Sequence, residues 1–533
     1  MSAAGSGDSA AWDWLPLSAA PGGEPVLWRK ALPGGCWRLR VAAAGGRSAE
    51  ADFDGRPVGV GWRPDGRALA FLRLLPDRIF GLFAWEFGEG AAPRRLPAPP
   101  IRSGFQTLRW NPRRFEILCR AGELLVGVGD GDHRVYAPGP ILGAGFGWHP
   151  DGERAACVSA ISPGAILEAS PGGKSFRLRR VVPRGRVKGW TWADGSGGIL
   201  AAARAAGEEW FRARILAADG GDTAEAVSPP SLRADAGSPV ALGGGKFAWE
   251  VRAAGAASVR LPDETSLADA AIVDEAVGES GAALVLRLLP PERPPELWRW
   301  SSSGGLEPLA AAVSVPPAVP APEHVGFRSR SGDLVRGWLW WPMDARGAVV
   351  EVHGGPRLAE GPRWHPGLRF LARRGIACFA INYTGSSGYG RSGVESFDDR
   401  QAVAEIRAAV RWLGDRIPCG AKRIVLSGHC LGADLALEAG RAEGPDRACP
   451  VVVASPQPRS LRRWRDTRGR APLRAAFFPE RDPFFDPGAA EEAWNLLEQA
   501  PGTRRVRLAG EGHAITHPES FAAYYGAALD ALE

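Results

Sequence analysis

At 533 residues the chain exceeds what one ordinary core accommodates, so two or more domains are expected. The net charge of +6 rests on arginine, with few lysines and no basic stripe interleaved with stacking aromatics, which argues against a nucleic-acid partner. Seven cysteines (36, 119, 157, 378, 419, 430 and 449) are odd in number and lack metal-ligand spacing, and no run of 18 apolar residues occurs. Neither a metal, a cofactor nor a membrane is therefore expected, and with no apolar leader in Met1–Ala11 the chain reads as cytoplasmic with free thiols.

Residues 1–20 read as an N-terminal segment that could pack on the C-terminal domain. From about Gly35 to Glu307 short strand-like runs are broken by Gly, Pro and Asp, which is all-β grammar. A phrase recurs within it: Trp62-Arg-Pro-Asp-Gly66, Trp110-Asn-Pro-Arg, Trp148-His-Pro-Asp-Gly152 and Trp192-Ala-Asp-Gly, at intervals of 48, 38 and 44 residues. Such a period predicts a β-propeller over residues 21–320, with seven blades fitting the length best. Weaker copies are expected before Trp62, around Phe247-Ala-Trp249 and around Leu297-Trp-Arg-Trp300. The proline-rich stretch 308–322 reads as a linker.

Beyond it, residues 321–533 alternate strand and helix patterns. Strands are predicted at Ala348–Val352, Ile376–Ile381, Arg423–Leu426, Pro450–Ala454, Leu473–Phe478 and Arg505–Leu508. Helices are predicted at Asp399–Asp415 and Ala433–Ala442. This is the grammar of a doubly wound, mostly parallel sheet, the α/β-hydrolase arrangement.

Gly428-His-Cys-Leu-Gly432 has the frame of a nucleophile elbow, with Cys430 at its centre. In such a sheet the acid and the histidine follow the nucleophile on later strand ends. Asp482 follows the strand ending at Phe478, and His513 follows the strand ending at Leu508, so a Cys430, His513, Asp482 triad is expected. His353-Gly354-Gly355-Pro356 follows the first long buried strand. The amides of Gly354 and Gly355, with that of Leu431, would form an oxyanion hole.

His353-Gly-Gly-Pro356, Asn382-Tyr-Thr-Gly-Ser-Ser-Gly-Tyr-Gly390, the elbow, Asp482 and Gly512-His513 stand in an order that resembles the prolyl oligopeptidase family of serine peptidases, nearest its acylaminoacyl-peptidase and dipeptidyl-peptidase branches. The resemblance implies a propeller that caps the active site and filters substrates by size. It also makes Tyr383 and His429 candidate substrate contacts. The chain departs from the family at Cys430, where the family has serine, at Gly432-Ala433 and at Phe478-Pro479. A cysteine elbow is similar to that of dienelactone hydrolases, which use a Cys-His-Asp triad.

A thiol beside a histidine at a helix N-terminus favours thioester chemistry, and thioesters react readily with amines as well as water. The expected activity is acyl transfer: hydrolysis of an amide, ester or thioester, or amide formation in specialised metabolism. A catalytically inactive binding protein, or a serine enzyme changed to cysteine, is the reading from another class. Seven arginines between Arg459 and Arg474 are expected near the domain junction, as a solvated face or in salt bridges to the propeller. Alternatively Arg459, Arg462 and Arg463 bind a carboxylate, a phosphopantetheine or an acidic acyl carrier protein. Glu208-Glu209 resembles the glutamate pair with which dipeptidyl peptidases hold a free N-terminus, but falls at a predicted hairpin turn.

Overall fold

The computed structural model describes residues 14–533 except 21–22, 44–47, 88–90, 104–105, 107, 138, 140, 174–175, 194–196, 218–223, 229–232, 244–245, 262–264, 270, 276–282, 313–318, 331, 418–422, 442–447, 467–470 and 499. Residues 14–310 form seven four-stranded antiparallel sheets, each built from four consecutive strands. They are the blades of a propeller. Its first strand is Leu15–Ala19, inside the segment expected ahead of it, and pairs with Val26–Leu32 in blade one instead of packing on the C-terminal domain. Residues 1–13 and residues 313–318 of the proline-rich linker lie outside the described residues, and the stretch expected to begin the linker, 308–310, instead completes the strand Gly305–Ala310 of blade seven.

The recurring tryptophans have a common physical role. Trp62, Trp110, Trp148 and Trp192 each end the first strand of blades two to five. Each indole N–H reaches back to the preceding blade: Trp62 to Ser18 Oγ (3.0 Å), Trp110 to Gly61 O (2.8 Å), Trp148 to Arg109 O (2.9 Å) and Trp192 to Trp148 O (2.6 Å). A buried indole needs an acceptor, and here that need joins one blade to the next. The weaker copies are different objects. Trp249 lies on the second strand of blade six and Trp298 and Trp300 on the third strand of blade seven, so these phrases are not the inter-blade turn.

The C-terminal domain holds one eight-stranded sheet: β1 (Glu323–Arg328), β2 (Leu334–Trp340), β3 (Gly347–Val352), β4 (Ile376–Ile381), β5 (Ile424–His429), β6 (Val451–Ala454), β7 (Leu473–Pro479) and β8 (Arg504–Leu508). Their order is β1-β2-β4-β3-β5-β6-β7-β8, parallel from β4 onward with an antiparallel β1-β2 edge. Helices α1 (Pro366–Ala372), α2 (Gly390–Glu395), α3 (Asp399–Gly414), α4 (Leu431–Ala439), α5 (Pro458–Asp466), α6 (Pro487–Leu496) and α7 (Pro518–Asp530) complete it. On one face α3 buries Val403, Ile406, Val410 and Leu413 with residues of α4, α5 and α6; α1 and α7 cover the other face with Leu368, Leu371, Tyr524 and Tyr525. The central strands β3 and β4 are buried throughout, which is why β4 reads as an unbroken apolar run and β3 as one interrupted only by Glu351.

Candidate active site

β5 ends at His429 and α4 begins at Leu431, which leaves Cys430 alone on the turn at φ 55°, ψ −124°. A non-glycine residue at positive φ is strained and persists only where its surroundings enforce it. A Cβ on Gly428 would meet Gly432 O at 2.3 Å, and one on Gly432 would meet Val352 O at 2.0 Å. Both flanking glycines are therefore steric requirements of the elbow. Cys430 N donates to Ala454 O at 3.0 Å, which ties the turn to the neighbouring strand β6.

His513 stands on the loop after β8 and Asp482 on the loop after β7. His513 Nδ1 lies 2.7 Å from Asp482 Oδ2, and Cys430 is near enough to act on the ionisation of the same imidazole. Burial acts to lower the His513 pKa, but the hydrogen bonds and negative charges of Asp482 and Cys430 outweigh it and raise the value to about 9. Burial likewise opposes ionisation of Asp482. Bonds from His513, Phe484 N (2.9 Å) and Ser455 Oγ (3.1 Å) prevail and hold its carboxyl below the ordinary range.

The His353–Pro356 loop runs against the elbow: a Cβ on Gly354 would lie 3.1 Å from Cys430 Cβ and 3.1 Å from His429 O, and Gly355 has φ +49°. Its shape is held from behind. Tyr383, expected at the substrate, is buried beneath this loop, and its hydroxyl lies 3.0 Å from His353 O and 3.3 Å from Gly355 O. His353 stacks on Tyr383 and meets Ser386 Oγ at 2.9 Å. His429 turns toward the catalytic loop, with Nε2 2.5 Å from His513 O.

Arg462 and Arg463 of the arginine run are exposed, in keeping with a solvated face, one of the readings expected of it. Part of it forms α5, where Arg462 pairs with Glu492 of α6 and Arg463 with Glu438 of α4 (3.6 Å), so these salt bridges stay within the C-terminal domain. Arg459 and Arg463 line a cleft of about 600 Å³ with Arg407, Leu431 and Asp434, and no propeller residue lines it. Glu208 and Glu209 serve structure. Glu208 accepts from Ala205 N and pairs with Arg214, and Glu209 accepts from Ser392 N and Oγ across the domain boundary. Ser455, absent from the expected site, has φ +50° and holds Asp482. Its signal was a polar residue just past a strand end, too common to single out.

The propeller closes on the loops that carry Asp482 and His513. A Cβ on Gly35 would meet Ala509 O at 2.6 Å and one on Gly512 would meet Leu74 Cδ2 at 2.9 Å, and Arg481 Nη2 donates to Asp54 Oδ2 at 2.7 Å. Among the described residues no cluster of metal-ligating side chains occurs and no helix is long and apolar enough to cross a membrane.

Residues 349–529 match the alpha/beta hydrolase family. The uncharacterized peptidase YuxL of Bacillus subtilis (strain 168) is 32% identical over 99 residues, 16% of this chain and 15% of that protein. A polyketide transferase of Gibberella fujikuroi is 26% identical over 192 residues, 36% of this chain and 59% of that protein. The chain thus spans less than two thirds of either curated relative. Among solved structures, a puromycin hydrolase superposes with TM-score 0.73 at 18% identity, covering 99% of this chain and 97% of that one. A prolyl endopeptidase structure superposes with TM-score 0.74 at 15% identity, covering 98% and 89%. Residues 349–529 therefore form an α/β-hydrolase domain, and the whole chain has the propeller-capped fold of the prolyl oligopeptidase peptidases.

Proposed function

We propose that the chain is an acyl-transfer enzyme in which Cys430 takes the acyl group of an activated donor, an ester, thioester or strained amide, and carries it as a thioester. The observation that supports this reading is a single imidazole, His513, hydrogen-bonded to Asp482 and near enough to the Cys430 sulfur on the elbow to feel its charge. The Cys430 thiol gives its proton to His513 and the sulfur attacks the carbonyl carbon, and the developing oxyanion is met by amides of the Gly354-Gly355 turn and of Leu431. Collapse breaks the bond to the leaving group, which takes a proton from His513, while Asp482 holds the Nδ1 proton and stabilises the imidazolium. An acceptor then attacks the thioester, gives its proton to His513, and expels the Cys430 sulfur. All described cysteines are free, and the reaction needs a compartment reducing enough to keep Cys430 so.

Water is the acceptor in the hydrolase version. An amine or alcohol acceptor is the second reading, favoured by the likeness to a polyketide transferase and by the reactivity of thioesters toward amines. Intact-mass analysis after incubation with acyl thioesters, comparing the parent with Cys430→Ala and Cys430→Ser, tests the nucleophile. The expected result is an acyl adduct on the parent, none on Cys430→Ala, and a slowly released ester on Cys430→Ser. Equal labelling of all three proteins sinks the proposal. A product assay with added amine then separates the two acceptors.

A further inference from the structure

Three arginines converge where the first, second and seventh blades meet the C-terminal domain. Arg29 lies on the second strand of blade one, Arg56 in the connection from blade one to blade two, and Arg287 on the second strand of blade seven, reaching Leu17 O of blade one. The Arg29 guanidinium sits 5.6 Å from the ring centre of Trp37. Trp37 in turn packs edge-on against His517, four residues beyond His513 (5.7 Å between centroids), and His517 Nε2 lies 2.6 Å from Leu32 O. The cluster thus adjoins the loop that carries His513.

These side chains keep some accessible surface, yet Nε and Nη1 of Arg29 and Nε of Arg56 are shut from solvent with no hydrogen-bond partner among the described residues. The carboxylate that acts on Arg56 is Glu511, which already accepts bonds from Thr516 N, Thr516 Oγ1 and His517 N. Burial, then the charges of Arg56 and Arg287, push Arg29 well below its ordinary value; Arg56 is lowered by burial, with Glu511 opposing. Charge of one sign with unbonded, solvent-shielded N–H groups on Arg29 and Arg56 is costly in the unliganded chain, and the planar guanidinium fork matches a carboxylate or phosphate.

We propose that Arg29, Arg56 and Arg287 form an oxyanion-binding subsite that holds a carboxylate or phosphate group of the acyl donor or acceptor. The proposal deepens the acyl-transfer reading and rests on it for the reaction, though not for the binding.

The test is calorimetric titration of glutarate and, separately, inorganic phosphate into the full chain, for the parent, Arg29→Met and Arg56→Met, with melting midpoints measured without anion. The expected result is saturable binding to the parent, weakened at least about tenfold in each variant. The anion-free midpoint of Arg29→Met should be unchanged or raised, because that substitution removes a buried guanidinium repelled by Arg56 and Arg287. Tighter binding of glutarate assigns a carboxylate, and tighter binding of phosphate assigns a phosphoryl group. Failure of the parent to bind either anion, or equal affinity in parent and variants, overturns the subsite. Should the Met variants melt early, Arg29→Lys and Arg56→Lys carry the comparison: they keep the charge and lose the fork, so weakened binding supports the subsite and unchanged binding overturns it. Arginine-dependent binding without acylation of Cys430 would remove the acyl-transfer reading alone, and acylation without arginine-dependent binding would remove the subsite alone.

Discussion

His429 Nε2 donates a hydrogen bond to the carbonyl oxygen of His513 at 2.5 Å, and the two rings lie 4.6 Å apart. A carbonyl only accepts, so the His429 proton resides on Nε2. Burial, then the positive charge of His513, push His429 down to about 4, so it stays neutral while His513 is charged. The bond sets the position of the histidine loop over the elbow. His429→Ala is expected to lower kcat by about tenfold, the worth of one hydrogen bond, with a smaller change in KM. His429→Gln, whose amide can donate to the same carbonyl, should recover part of the loss. Steady-state kinetics on an acyl thioester checks both, and an equal loss in the two variants would count against a positioning role.

On the proposed mechanism the His513 imidazole ties both stability and rate to pH. His513 has a folded-state value raised from 6.5 to about 9, so its contribution to stability is complete below about 6.5 and is lost as pH rises through about 9. Leaving-group protonation needs the same proton, so kcat should fall on the alkaline side near pH 9. Cys430→Ser removes the thiol partner that helps raise the value. NMR titration of the imidazole should then show a lower pKa than in the parent, and an unchanged value would refute the coupling.

The elbow glycines should be far less tolerant than a helical glycine in open space. Gly432→Ala forces a Cβ to within 2.0 Å of Val352 O and is expected to cost about 3 kcal/mol or more. A Cβ on Gly526 in α7 would have nothing within 4 Å, so Gly526→Ala should stabilise by about 0.5–1 kcal/mol through helix propensity. Urea unfolding of both variants provides the comparison.

Two bridges across the domain boundary lie next to functional loops. Asp54 receives Arg481, the neighbour of Asp482, and Glu209 receives the first turn of α2. Exposed pairs contribute about 0–1 kcal/mol, so Asp54→Ala and Glu209→Ala should leave the melting midpoint nearly unchanged. Hydrogen–deuterium exchange should nevertheless rise around residues 481–486 in the first variant and 390–395 in the second. Exchange that stays at the parent level in both segments would show that other contacts hold the domains closed.

Much of this molecule was determined locally. The propeller was legible because a tryptophan recurs at the end of a first strand with about one blade between copies, and each meets the same requirement, an indole seeking an acceptor on the preceding blade. The elbow was legible because its glycines answer clashes within the strand-turn-helix unit and with the adjacent β3, and strand-end order then pointed to Asp482 and His513. Tyr383 behind its loop, Ser455 on Asp482 and His429 under His513 were decided only by the tertiary structure. So were the pairing of α5 with α4 and α6 and the gathering of Arg29, Arg56 and Arg287 from both ends of the propeller. The reason is physical: a sequence states what each side chain can bond, whereas which partner it meets depends on backbone brought back from elsewhere, from other strands of the same sheet for Tyr383, Ser455 and His429 and from the far end of the propeller for Arg287.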